Sequence, residues 1–298
     1  MDKARRIART GMVVSGLLAA LKIGVGLAAR SAAVTADGFE SAADVFTSGL
    51  VLIGMTIAAR PADDNHPYGH GRVEILTGLL LGFVLFGVGL LISVHAWTSA
   101  SEIPLPPAAY AVWPMVISVI AKFWMVIVKY RHGERIGSSS LRADSANDAV
   151  DIASGLVALC ALLLNVKAPD RFPRADHYGA FVVGLIVIAT AIRVAYEAAM
   201  HLMDTMPDDD AMEEIRRVAA GVPDVAGIEK CFARKTGLKY HVDLHLEVDP
   251  EITVRASHDI AQRVRERVCQ RLPWVADVLV HVEPAPGKSV NSARPSRR

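Results

Sequence analysis

Hydrophobic positions fall into two regimes along the chain. Up to about residue 200 they gather in long runs, near 11–29, 33–59, 74–98, 109–130, 145–166 and 176–200. Each run reaches about 20 residues, the length a helix needs to cross the hydrocarbon core of a bilayer. From about residue 207 the runs give way to amphipathic segments. The pattern there predicts a helix near 210–220, strands near 227–234 and 239–248, a helix near 254–271 and a strand near 277–283. The periods of 3.6 and 2 in those segments describe a small α+β layer. The expected fold class is thus an α-helical membrane protein with six transmembrane helices over residues 1–206, followed by a small α+β domain over 207–286. Residues 287–298, rich in Ser, Arg and Pro, are expected to be a disordered tail. The first run has the character of the other five and no small-residue cleavage site, so it reads as a span rather than a removable signal.

Charge orients the spans and narrows the partners. Lys3, Arg5, Arg6 and Arg9 precede the first run, Arg60 and Arg72 flank the second loop, and Lys129, Arg131, Arg135 and Arg142 fill the fourth. Basic residues favour the cytoplasmic side, which places these loops, both termini and the α+β domain in the cytosol. Arg30, Lys167, Arg171 and Arg174 oppose that bias from the other side. Short loops suit a bacterial inner membrane. A net charge of +1 with no basic stripe excludes a nucleic-acid partner and leaves the lipid bilayer as the surrounding one. Cys160, Cys231 and Cys269 form no CxxC pair and read as packing residues of a reducing compartment.

Two of the apolar runs carry stripes of polar residues. Asp37, Glu40, Ser41, Asp44 and Ser48 recur at steps of three and four in the second run; Asp144, Asn147, Asp148, Asp151 and Ser154 do so in the fifth. Such spacing places each set on one helix face. Neutral stripes commonly line a crevice or join helices by hydrogen bonds. Ionisable ones are different, because an acidic residue at bilayer depth costs about 2.5–3.5 kcal/mol on insertion scales. Glu40, Asp44, Asn147 and Asp151 therefore read as oxygen ligands for a cation on a pathway through the membrane. Crowded carboxylates repel as anions, so the empty site should hold protons that an arriving dication displaces. Lys22, Lys122, Arg193 and Glu197 are also deep; Lys22 and Lys122 are either counter-ions or snorkelling side chains. No GxxxxGK[ST] motif is present to power transport by nucleotide, and no nucleophile with a base partner points to an enzyme.

Two further constellations favour metal. The loop Pro61-Ala-Asp-Asp-Asn-His-Pro-Tyr-Gly-His-Gly-Arg-Val-Glu74 sets Asp63, His66 and His70 within a short stretch shaped by Pro67, Gly69 and Gly71. One carboxylate with two imidazoles suits first-row transition metals. Pro67 after His66 rules out the HExxH metalloprotease helix. In the α+β segment His241, Asp243 and His245 alternate on one strand, as His281 and Glu283 do on the last. Together with Glu229 and His258 they make a candidate metal site or pair of sites, set against the plainer reading of a solvated polar face.

The strings ADGFESAADVFTSG, PADDNHPYGHGRVE and ADSANDAVDIASG resemble the cation diffusion facilitator family of divalent metal transporters, and the similarity spans nearly the whole chain. The resemblance implies a homodimeric metal/proton antiporter with a metallochaperone-like cytoplasmic domain. It implies that Glu40 and Asp44 pair with Asn147 and Asp151 at the transport site, and that Asp63, His66 and His70 form the loop site. It also places metal positions at His245, His258, His281 and Glu283, puts Glu229 where some members carry histidine, and suggests Arg72 and Asp204 as a buried interlock between protomers. Zinc members typically have histidine where this chain has Asn147. An all-oxygen site favours harder ions, so the expected cargo is Mn2+ or Fe2+, with Zn2+ or Cd2+ as the alternative and no prosthetic group. A membrane metal sensor or scaffold that transports nothing is the rival reading; it has no use for carboxylates at bilayer depth.

Overall fold

A computed structural model of the chain describes residues 2–100, 106–136, 139–237 and 239–286. The expected tail lies outside the described residues. Contacts divide the chain into two compact units, one built from residues up to Ile53 and from Thr77 to Tyr196, the other from Gly54 to Leu76 and from Glu197 onward.

Six long helices carry the apolar runs: α1 (Asp2–Ala28), α2 (Ala32–Ala58), α3 (Arg72–Ser99), α4 (Val112–Ile136), α5 (Ser139–Lys167) and α6 (Ala175–Leu202). All six contain a stretch long and apolar enough to cross a membrane. Large apolar side chains such as Leu17, Phe83, Leu91 and Trp124 face outward, as a lipid solvent allows. Inside the first unit, small residues set the helix spacing. A Cβ added at Gly82 would meet the Ala195 backbone at 2.9 Å, and one at Gly89 would meet Ile188 N at 3.0 Å, so α3 and α6 lie backbone to backbone. Ala33, Val34, Met115, Ala158, Leu162 and Val183 fill the core between helices.

The tight α1–α2 turn is fixed by a carboxylate from α6. Arg30 takes a left-handed backbone with φ 58°, ending α1, and Ser31 then caps α2 by accepting from Val34 N at 3.2 Å. Asp176 completes the cap: its two oxygens accept from Ser31 Oγ at 2.6 Å and from the backbone N–H groups of Ala32 and Ala33 at 2.5 and 3.4 Å. These N–H groups have no partner within the helix, and a buried anion there also opposes the helix dipole. Asp176→Ala removes both effects and is expected to cost about 1–2 kcal/mol of stability. Urea unfolding of the detergent-purified protein measures this.

In the second unit, α7 (Asp209–Ala220), β1 (Gly227–Thr236), β2 (Lys239–Val248), α8 (Val254–Arg271) and β3 (Val275–Pro284) follow in order. Asp208 and Thr253 cap α7 and α8 through side-chain oxygens, as short polar residues before an amphipathic run do. β1 and β2 form an antiparallel hairpin whose turn uses Gly237 at φ 73°, where a Cβ would be strained; β3 joins β2 in parallel after the α8 crossover. Both helices cover one face through Ile215, Ala219, Val264 and Val268, packed on Val242, Leu244 and Leu246. β1 and β3 run two residues beyond the predicted limits because Thr236 pairs with Lys239, and a buried Val275 with Tyr240, past the alternating segments. The sheet's other face is left to polar side chains.

Candidate metal transport site and accessory metal sites

In the first unit the polar stripes of α2 and α5 converge on lysines. Glu40 and Asp151 are buried, and Asp44 is half-buried. Lys122 of α4, 3% exposed, places its Nζ 2.5 Å from Asp151 Oδ2 and 3.8 Å from Asp44 Oδ2. Ser154 Oγ donates to the Asp151 carbonyl at 3.0 Å, and Glu40 Oε2 has no hydrogen-bond partner among the described residues. A buried carboxylate oxygen without a donor is costly and implies a cation or proton as its natural companion. Asn147 lies on α5 one turn before Asp151, but its side chain, like that of Asp144, is outside the described residues.

The ambiguity between snorkelling and pairing resolves toward pairing. Lys22 of α1 is fully buried; its Nζ donates to Asp37 Oδ2 at 2.5 Å, Ser41 Oγ at 2.6 Å and the Asp37 carbonyl at 3.1 Å. Lys129, which the sequence pattern assigned to a cytoplasmic loop, is buried at 2.5 Å from Asp148 Oδ2. Asp37 and Asp148 are thus taken up by ion pairs with Lys22 and Lys129.

The second unit holds the loop cluster. Asp63 Oδ1 accepts from the backbone N–H groups of Asn65 and His66 at 3.0 and 2.7 Å, an Asx turn that brings His66 Nδ1 to 2.9 Å from the same oxygen. His70 Nδ1 lies 3.2 Å from the Pro61 carbonyl, so it carries the proton, and Nε2 faces Asp63 Oδ2 at 3.4 Å. With Nδ1 committed to a carbonyl, Nε2 is the ring atom left to meet a carboxylate or a cation held beside it. The hydrogen bond from His66 holds the Asp63 carboxyl below the ordinary range, so the anion needed for a ligand persists. All three residues offer ligand atoms within 4.8 Å of one another. The loop is seated on the β1–β2 hairpin, since a Cβ at Gly71 would lie 2.3 Å from Thr236 O, and Tyr68 meets His241 edge-on at 6.0 Å.

On the open face of the sheet, His245 and His281 are register partners with ring centroids 5.0 Å apart. Glu283 Oε1 reaches His245 Nδ1 at 2.5 Å and His281 Nε2 at 3.6 Å, giving a second group whose ligand atoms all lie within 4.8 Å. Contacts with Glu229 and His245 hold the Glu283 carboxyl below its usual range, so Glu229, at a bulge of β1, also belongs to this neighbourhood. Asp243 instead accepts from Arg234 Nη1 at 3.1 Å. His258 is exposed on α8, which covers the opposite face, and a single chain does not bring it to the cluster. Arg72 and Asp204 pair at 3.1 Å within one chain, both about half exposed. Cys231 is buried in the domain core as expected, whereas Cys160 is exposed on α5.

Residues 9–203 match the model of the cation efflux transmembrane domain, and residues 207–285 match that of the cation efflux protein cytoplasmic domain. The chain belongs to the cation diffusion facilitator family. It is 29% identical over 285 residues to the manganese efflux system protein MneP of Bacillus subtilis, covering 94% of this chain and 96% of MneP. It is 30% identical over 272 residues to the uncharacterized transporter YdbO of the same organism, covering 90% and 91%. Among solved structures, MamM-CTD is 30% identical over 26% of this chain and 100% of that one, with a TM-score of 0.25. The protein is a cation efflux transporter of the membrane.

Within this cation diffusion facilitator, sequence spacing located the carboxylates but did not assign partners to the lysines. Lys122 and Lys129 stand seven residues apart, two turns of one helix face, which is the signal that ties both to α5. Asp176 gave no signal at all, since a lone acidic residue at the start of a span reads as an interface charge.

Proposed function

We propose that this transporter moves a divalent transition-metal cation out of the cytosol in exchange for protons, as a homodimer, with Mn2+ or Fe2+ as preferred cargo. The observation that carries the reading is the convergence of Glu40, Asp44 and Asp151, three carboxylates from α2 and α5, at membrane depth with a Glu40 oxygen that has no partner among the described residues. Protons and a dication compete for those oxygens, so a site that opens alternately to each side couples their movements. Asn147 adds an amide oxygen in place of an imidazole. The name of MneP, a manganese efflux protein, agrees with an oxygen-rich donor set. Zn2+ or Cd2+ remains the competing cargo of the same mechanism. Termini on the cytosolic side of a bacterial inner membrane fit the distribution of Lys and Arg.

The accessory sites serve regulation in this reading. Metal bound by His245, His281 and Glu283 beside Glu229, and by Asp63, His66 and His70 in the loop, favours the dimer conformation competent for transport. The shift is limited by the difference in affinity between states. Arg72 and Asp204 then act at the protomer boundary, where burial strengthens a pair that is weak when exposed. Replacing His245 and His281 together with alanine is expected to move the activating metal concentration upward while leaving maximal flux in place. Unchanged activation across a metal titration removes the regulatory role.

Proteoliposomes test the cargo. Initial uptake of Mn2+ or Fe2+ should exceed that of Zn2+ and Cd2+ under one imposed pH gradient. Zinc uptake at least as fast as both overturns the preference, and no uptake of any metal favours the sensor.

A further inference from the structure

The transport site contains a cation of its own. Lys122 is held by α4 with its ammonium between a carboxylate of α5 and one of α2, at 2.5 Å from Asp151 and 3.8 Å from Asp44. Its side chain is 3% exposed, so it has no route to water at the membrane surface and no role as a snorkelling residue. A dication bound by the same oxygens would sit about 2.1 Å from each of them, hence within about 5 Å of the ammonium if Lys122 stayed. Three positive charges at that distance, in a site sheltered from water, repel strongly. The α4 helix gives the lysine somewhere to be: four rotatable bonds let the ammonium leave Asp151 while the backbone stays in place.

We propose that Lys122 is a tethered competitor at the transport site, its ammonium and the dication excluding each other from Asp44 and Asp151. The proposal rests on the assignment of Asp44 and Asp151 as transport ligands and adds a mechanism for release. The tethered ammonium neutralises part of the empty site, lowers its affinity for metal, and returns to Asp151 as metal departs, so the carrier is not trapped in its loaded form. It also disfavours monovalent ions, which bring less charge to displace the ammonium. The arrangement differs from those at Lys22 and Lys129, whose partners Asp37 and Asp148 are not assigned as ligands.

Equilibrium binding of Mn2+ to the full-length, detergent-purified protein tests it. Lys122→Gln is expected to bind Mn2+ at least about tenfold more tightly, and to release it more slowly in a chelator chase. Lys122→Arg, which keeps the charge, should stay near wild type. Lys129→Gln controls for loss of a buried ammonium on the same helix and should leave affinity unchanged. Unchanged or weaker binding by a folded Lys122→Gln protein overturns the proposal. Should that variant fail to fold, the wild type supplies a second readout: reductive methylation followed by mass spectrometry. Lys122 should react faster when Mn2+ is saturating, relative to Lys22 and Lys129, and equal rates with and without metal overturn the proposal. The underlying site assignment fails separately. If Asp151→Asn keeps wild-type affinity and flux, both ideas fall; if Asp151→Asn abolishes flux while Lys122→Gln binds as wild type does, the tethered cation alone falls.

Discussion

Asp151→Asn is expected to reduce cation flux in proteoliposomes to the level of empty vesicles while the protein still purifies folded. The substitution keeps the size of the side chain and one oxygen, but removes the charge that both a metal and Lys122 require. Asp151 is buried with Lys122 at 2.5 Å, so loss of the anion strands an ammonium beside Asp44 at 3.8 Å. The stranded ammonium is then drawn toward Asp44, and the remaining carboxylate of α2 is partly neutralised. At the proposed site, metal binding then loses one ligand directly and a second by this redistribution. Stability falls less than activity, because Asp44 offers Lys122 a second partner. Measuring flux together with the unfolding midpoint separates the two, and wild-type flux from a variant of unchanged stability would remove Asp151 from the pathway.

Lys22→Met is expected to have the largest effect on stability and little on ion preference. Lys22 is among the largest fully buried side chains of the chain, and its ammonium makes three hydrogen bonds to Asp37 and Ser41. Removing one partner of a buried pair leaves an uncompensated charge, which costs about 3–5 kcal/mol. Asp37 lies on the same face of α2 as Glu40 but is occupied by this contact, which joins α1 to α2. The double variant Lys22→Met with Asp37→Leu replaces both charges by apolar groups and is expected to recover most of the loss. Thermal unfolding in detergent of the single and double variants checks this. A single variant as stable as wild type would show that the pair contributes no net stability.

The membrane fold was legible because six apolar runs of spanning length have few alternative readings. The α+β domain was legible because its periods of 3.6 and 2 are clean, and strand alternation alone put His245, His281 and Glu283 on one open face. The carboxylates of α2 and α5 stood out because ionisable residues in an apolar run are rare. What spacing could not supply was partnership between helices. Lys129 looked like an orienting loop charge, yet α4 continues through it and turns it onto Asp148. The role of Asp176 depends on the α1–α2 turn lying against the start of α6, a long-range contact with no local trace. His258 shows the opposite limit: it belongs to the same domain as the histidine pair, but α8 presents it away from the sheet's open face.

The central claim is that Glu40, Asp44 and Asp151 exchange protons for a dication across the membrane. Its most direct test is simultaneous recording of Mn2+ entry and luminal pH in proteoliposomes, with wild type and Asp44→Ala side by side. Metal entering wild-type vesicles should drive protons out, alkalinising the lumen in proportion to uptake, and Asp44→Ala should abolish both signals together. Metal uptake without any proton signal, or undiminished exchange in Asp44→Ala, would contradict the account.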